Sequence, residues 1–204
     1  MSGHFQLCYI TDRLALDPLP LLPVVLNAIR AGLDFIQIRE KDLPARALIE
    51  ISGQAVASAS GTKSRILVND RLDVALAVGA AGVHLGTQSP PARTVREHVP
   101  QGFLVGVSCH SLEEAVDAEA AGTDYAVLGP IFETPSKLPY GPPLGLAKLA
   151  EVTARVKLPV LALGGITISR VKACMEAGAS GIAGISIFQN AHSLADLVAQ
   201  IRAE

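Results

Sequence analysis

Four short stretches hold most of the residues able to do chemistry. In "QIREKD" (37–42), the alternation of an extended strand puts Gln37, Arg39 and Lys41 on one side. Two cations that close suit an anion such as phosphate or pyrophosphate. Glu40 and Asp42 in the same stretch equally allow a self-neutralised, solvated loop. "LVND" (67–70) ends in Asn69 and Asp70. Asp70 either holds a hard cation such as Mg²⁺ or caps the helical "NDRLDVALA" pattern that follows, with the cap slightly favoured on position alone. "SCH" (108–110) places His110 just before Ser111, at a helix start. The helix dipole disfavours imidazolium there, which leaves a neutral base able to take a proton; a plain capping role is the alternative. The Pro/Gly-rich segment 129–143 carries Thr134, Ser136 and Lys137, a donor set for phosphate oxygens on a lid, or else a surface loop.

Three other features complete this inventory. Gly164, Gly165 and Gly184 let backbone N–H groups approach a ligand closely. His84 lies inside an apolar run and reads as a hydrogen-bonded core histidine, and Cys109 as a packing residue. The loop after His84, Thr87-Gln88-Ser89, has no acid, unlike the ends of its neighbours.

The elements that must position these residues alternate regularly. Apolar or β-branched runs occupy 6–12, 33–39, 65–70, 82–86, 103–108, 124–129, 159–165 and 181–188. Helical spacing lies between them, as in "PARALIEISGQAVASAS" and in "SLEEAVDAEAAG", which opens on a Ser111/Glu114 capping box. Ala-Gly pairs at 31–32, 81–82, 121–122 and 177–178 read as helix stops before every second strand. Strands buried on both faces imply a parallel sheet, and eight βα units favour a closed (β/α)8 TIM barrel over an open doubly wound sheet. In a barrel the strand ends named above converge on one face.

Composition bounds the rest. The chain has 204 residues, half hydrophobic, 4% aromatic, with a net charge of -2. That is enough for one compact domain, 1–204, and too acidic and too poor in aromatics for a nucleic-acid surface. No apolar run approaches the roughly 20 residues of a membrane span. Three scattered cysteines read as reduced thiols of a cytoplasmic protein. The expected partner is a small phosphorylated molecule, not nucleic acid or membrane; a homo-oligomer is left open.

These stretches, with "YITD" (9–12), "LVNDRLDVALAVGAAGVHLG" (67–86), "GVSCHSLEEAVDAEAAGTDYAVLGPIFETPSK" (106–137), "GPPLGL" (141–146), "PVLALGGIT" (159–167) and "AGASGIAGISIF" (177–188), resemble the thiamine phosphate synthase/TenI superfamily over nearly the whole chain. The resemblance implies two activities. In the synthase branch, which joins a pyrimidine pyrophosphate to a thiazole phosphate, Gln37 would face the pyrimidine. Arg39, Lys41, Asn69 and Lys137 would hold the pyrophosphate, Ser108 and Thr134 would line the site, and Ser136 would lie near the thiazole. Gly165 and Ser186, with the adjacent backbone of Gly164, Gly184 and Ile185, would take the thiazole phosphate. Asp70 would hold Mg²⁺ with a second aspartate in "HLGQxD", where this chain has Ser89, and Thr87 in place of the glutamine. In the tautomerase branch, His110 would move a proton to aromatise a carboxythiazole phosphate without metal or other cofactor. Ser89 together with His110 makes tautomerase the leading expectation. Mg²⁺-dependent synthase is the alternative, and a non-catalytic thiazole-phosphate-binding regulator the third reading.

Overall fold

The computed structural model describes residues 5–16, 19–134 and 142–204. Eight parallel strands close a barrel in chain order: β1 (Gln6–Ile10), β2 (Phe35–Ile38), β3 (Arg65–Asn69), β4 (Gly82–Leu85), β5 (Leu104–Cys109), β6 (Tyr125–Leu128), β7 (Val160–Leu163) and β8 (Gly181–Gly184). β8 pairs with β1, which leaves no edge. The helices are α1 (Leu21–Arg30), α2 (Ala45–Ala59), α3 (Leu72–Ala77), α4 (Ala92–Glu97), α5 (Leu112–Ala120), α6 (Gly145–Arg155), α7 (Ile168–Glu176), α8 (Ser186–Gln189) and α9 (Leu194–Arg202). The expected TIM barrel is what the chain forms.

Strand alternation divides the apolar residues into two layers. Ile36, Ile38, Val68, Val83, Val105 and Leu128 pack outward against the helices. Cys8, Phe35, Leu67, Leu104, Tyr125, Val127, Leu161 and Ala183 form a separate cluster inside the barrel. That interior takes two large rings, Phe35 and Tyr125, stacked with centroids 5.5 Å apart. Room for them comes from Gly106 on β5, where a Cβ would stand 2.0 Å from the Tyr125 ring. At the base, the Asp34 carboxylate accepts from Leu7 N and from Arg202 on α9, at 2.8 and 2.6 Å. Asp124 likewise accepts from Val105 N and pairs with Arg96 on α4. These bonds tie outer helices to strand starts, so the base serves stability.

Two local expectations are corrected. Ala81-Gly82 is not a helix stop: α3 ends at Ala77, the chain turns at Gly79, whose φ is +66°, and Gly82 opens β4. Gly82 is needed for space, since a Cβ there would lie 2.2 Å from the Leu104 carbonyl oxygen. The apolar run 181–188 is also not one strand, because Ser186–Gln189 turn into α8.

Gly106→Ala is expected to lose about 1–3 kcal/mol of stability or more by overpacking. Gly53→Ala in α2, where the nearest atom is 3.9 Å away, should be neutral or gain about 0.5–1 kcal/mol. Urea denaturation of the two variants checks this contrast.

Candidate active site

The C-terminal ends of β1 and β2 are locked together by a buried acid. Glu40 accepts from Thr11 Oγ1 at 2.5 Å and from Arg13 N at 3.1 Å. Thr11 Oγ1 in turn accepts from Arg39 N at 2.9 Å. Burial pushes the Glu40 carboxyl up, against the bonds from Thr11 and Arg13 that lower it. Asp42 pairs with Arg13. Both acids of "QIREKD" therefore serve Arg13 and the loop. They pair with Arg13 and Thr11 rather than with Arg39 and Lys41, so the self-neutralised pairing is not the one formed, although Lys41 and Asp42 are exposed.

Asp70 directly follows β3, at its C-terminal end. It is a non-glycine residue at positive φ, +60°, a conformation aspartate tolerates better than most. It does not cap α3, whose cap position is Arg71 with no side-chain bond. Instead its carboxylate turns inward. Oδ1 accepts from Gly86 N at 3.0 Å and from Ser89 Oγ at 2.5 Å. Oδ2 accepts from Asn69 Nδ2 at 2.6 Å and lies 3.8 Å from Lys41 Nζ. Burial raises the Asp70 carboxyl, but the bonds from Ser89 and Gly86, with Lys41 and Asn69, outweigh it and hold it below the usual range. Ser89 is thus engaged, accepting from Gly86 N at 2.9 Å while donating to Asp70.

The polarity of this cluster follows from one charge. A carboxylate only accepts, so Asn69 must present its NH₂ to Asp70 and its Oδ1 to Gln37. Gln37 then donates Nε2–H to Asn69 Oδ1 at 2.7 Å. Its other atom, Oε1, is buried with no partner, and Gln37 itself is 1% exposed. A buried acceptor without a donor costs about 1–3 kcal/mol, so this atom waits for one.

His84 is a buried, hydrogen-bonded histidine, as the sequence suggests. Nδ1 lies 3.0 Å from the Tyr125 hydroxyl and Nε2 2.9 Å from Ser108 Oγ. Burial, with Arg39 nearby, pushes its pKa down to about 4 against the opposing charge of Asp70. His110 is not part of this network. It is exposed, with Nδ1 3.2 Å from Glu114 Oε2, and its N–H donates to the same oxygen at 2.6 Å. The expected Ser111 cap forms, accepting from Glu114 N at 3.1 Å. The returning Glu114 carboxylate, however, takes His110 rather than Ser111. That carboxylate stands where the sequence suggested only the helix dipole, and it places the ring proton on Nδ1.

On the β7–β8 side, no described residue accepts from the N–H groups of Gly164, Gly165 or Ser186. Gly164 and Gly165 both have positive φ, and each packs where a Cβ would strike Pro130 or Phe132. Gly184 and Ile185 carry the chain from β8 into α8. Thr134 is half-buried at the edge of the mouth. Ser136 and Lys137 lie outside the described residues. Among the described residues no group of three or more His, Cys, Asp or Glu could hold a metal ion. No described helix is long and apolar enough to cross a membrane.

Sequence reasoning missed Tyr125 and Thr11, and read Glu40 as a partner of its neighbouring cations rather than of Thr11 and Arg13. Tyr125 lies within an apolar run, and the glycine that makes room for it, Gly106, is 19 residues away on the next strand. The alternation that put Arg39 and Lys41 on one side also put Glu40 on the other, which was the available hint.

Cations and unbonded backbone N–H groups around the C-terminal mouth of a (β/α)8 barrel suit small phosphorylated molecules. The model of the thiamine monophosphate synthase family matches residues 7–188, and the chain belongs to that family. The thiamine-phosphate synthase of Roseiflexus castenholzii is 42% identical over 185 residues, covering 91% of this chain and 81% of that one. The thiamine-phosphate synthase of Methanoculleus marisnigri is 44% identical over 184 residues, covering 87% of each. Among solved structures, the thiamine phosphate pyrophosphorylase of Pyrococcus furiosus superposes with a TM-score of 0.87 at 34% identity, covering 98% of this chain and 95% of that one. The chain is therefore an enzyme of thiamine biosynthesis.

Because the folded state keeps His84 neutral down to about pH 4 while the unfolded chain takes a proton near 6.5, stability should fall as pH falls through that window. The loss attributable to His84 is at most about 3 kcal/mol. Urea midpoints of the native protein and His84→Gln between pH 4 and 7 measure it. The difference in slope should disappear above pH 7.

Proposed function

We propose that this chain is a thiamine-phosphate synthase, condensing a pyrimidine pyrophosphate with a thiazole phosphate and releasing pyrophosphate. The sequence alone led with the tautomerase; the relatives' names support the synthase. The observation that carries the reading is the orphaned Gln37 Oε1. Thiamine's pyrimidine carries an exocyclic amine, the donor this buried acceptor lacks. A carboxythiazole phosphate brings a second acceptor instead, which would meet Oε1 unfavourably.

The remaining residues fit the same reaction. Arg39, Lys41 and Asn69 bind the pyrophosphate; Asn69 also holds Gln37, and Asp42 pairs with Arg13 instead of the two cations. Gly164, Gly165, Ile185 and Ser186 offer backbone N–H groups to the thiazole phosphate, and Thr134 lines the space between. A C–N bond forms from the thiazole nitrogen to the pyrimidine methylene carbon as the C–O bond to pyrophosphate breaks. Mg²⁺ is held elsewhere by one or two carboxylates plus substrate phosphates, so it fits a site in which Asp70 supplies the carboxylate, Ser89 a neutral oxygen and the pyrophosphate the rest. When bound, it neutralises charge on the departing pyrophosphate.

A second reading, the tautomerase, is favoured by one specific observation: the neutral Ser89 stands where the synthase pattern has an aspartate. The deciding experiment mixes the purified protein with both substrates and Mg²⁺ and detects thiamine phosphate as its fluorescent oxidation product. Turnover is expected. Gln37→Met should lower kcat/KM for the pyrimidine by about 10–100-fold through loss of its hydrogen bonds. Ser89→Asp should lower the Mg²⁺ concentration for half-maximal rate. No turnover, from protein that still binds thiazole phosphate, would overturn the synthase reading. Loss of metal-independent aromatisation in His110→Ala would then establish the second.

A further inference from the structure

Tyr125, His84 and Ser108 form one chain of hydrogen bonds running from the apolar barrel interior to its mouth, with steps of 3.0 and 2.9 Å. Tyr125 and His84 are buried at 0% and 2% exposure; Ser108 is half-buried at the open end. The position of the tyrosine hydroxyl is fixed by the stack on Phe35 and by the space at Gly106, where a Cβ would lie 2.3 Å from the Tyr125 oxygen.

The direction of the chain can be deduced. Burial holds the Tyr125 hydroxyl protonated. Its one partner among the described residues is His84 Nδ1, and a buried hydroxyl hydrogen must go to an acceptor. Nδ1 therefore accepts, and the neutral ring carries its proton on Nε2. Nε2–H then donates to Ser108 Oγ. No described residue accepts from Ser108.

We propose that Tyr125 and His84 are positioning residues that commit the Ser108 hydroxyl hydrogen to the barrel mouth, making Ser108 a standing donor to an anionic oxygen of the ligand. A lone serine would divide its hydrogen among several rotamers and acceptors. This one is oriented before the ligand arrives, and so spends less ordering entropy on binding. The donor also adds no charge beside Arg39 and Lys41. The identity of the ligand as a pyrophosphate rests on the synthase reading; the relay itself does not.

Two measurements test it. Nitrogen-15 NMR of the imidazole in the free protein at pH 7 should show His84 with its proton on Nε2; a proton on Nδ1 overturns the proposal. Titration calorimetry with inorganic pyrophosphate then forms a double-mutant cycle. Tyr125→Phe keeps the ring and should weaken binding by about fivefold to tenfold when Ser108 is present. In the Ser108→Ala background the same change should have no further effect. An equal effect in both backgrounds would mean that Tyr125 acts through packing, and overturns the relay. A native protein that binds no pyrophosphate counts against the synthase reading, and the tautomer alone then upholds or overturns the relay.

Discussion

A carboxylate can only accept hydrogen bonds, and the mouth of this barrel is organised around that fact. Asp70 is turned into the mouth by a left-handed backbone. Its two oxygens take four donors: Gly86 N, Ser89 Oγ, the Asn69 amide and the more distant Lys41. Because Asn69 must offer its NH₂ to that charge, its carbonyl faces Gln37. Because Gln37 must offer its own NH₂ to that carbonyl, Oε1 is left facing away with nothing to accept. One ionised group thereby sets the orientation of two amides and decides which kind of ligand atom the innermost position will take.

The barrel supplies the rigidity that this arrangement needs. Its two ends use charge differently. At the base, carboxylates meet arginines and strand N–H groups from neighbouring elements and are fully committed, as at Asp34 with Arg202 and Asp124 with Arg96. At the mouth, donors and acceptors are left over: Gln37 Oε1, the backbone of Gly164 and Gly165, the hydrogen of Ser108. Such leftovers cost stability. They persist because a closed eight-stranded sheet with an apolar, ring-filled interior can bear a few kcal/mol of unpaired polarity at one end.

Much of this was readable from the chain. Eight apolar runs separated by helical spacing specify a parallel barrel almost by counting, and alternation alone placed Gln37, Arg39 and Lys41 on one side. What could not be read depends on the stagger between strands. Nothing local says that Gly106 stands beside Tyr125, that His84 reaches Ser108, or that Ser89 reaches back to Asp70 across 19 residues. The same limit explains Gly82. Sequence offered it as a helix stop, but its cause is a backbone on the next strand that leaves no room for a side chain. Asp70 was misread for a related reason. A helix start makes a cap the economical guess, and only the positive φ turns the side chain the other way.

The balance between the two activities of the family can be argued from anion count. The mouth has two places for negative charge: the cations Arg39 and Lys41 at the end of β2, and the backbone donors at the ends of β7 and β8. β1 lies between them in the barrel order. The two phosphorylated substrates of the proposed synthase reaction would fill both. A single carboxythiazole phosphate could fill both only by placing its carboxylate on the β2 side. There it would share the position with Gln37 Oε1, an acceptor already without a donor, and would add to the cost rather than relieve it. An amine at that position relieves it. With Ser89 where the synthase pattern has an aspartate, the position proposed for the pyrophosphate has one negative charge fewer beside it. That weakens the hold on a cation but also lessens repulsion of the substrate's own charge. On the proposed synthase reading, Ser89 would shift the metal requirement of the reaction rather than convert the site to the other chemistry.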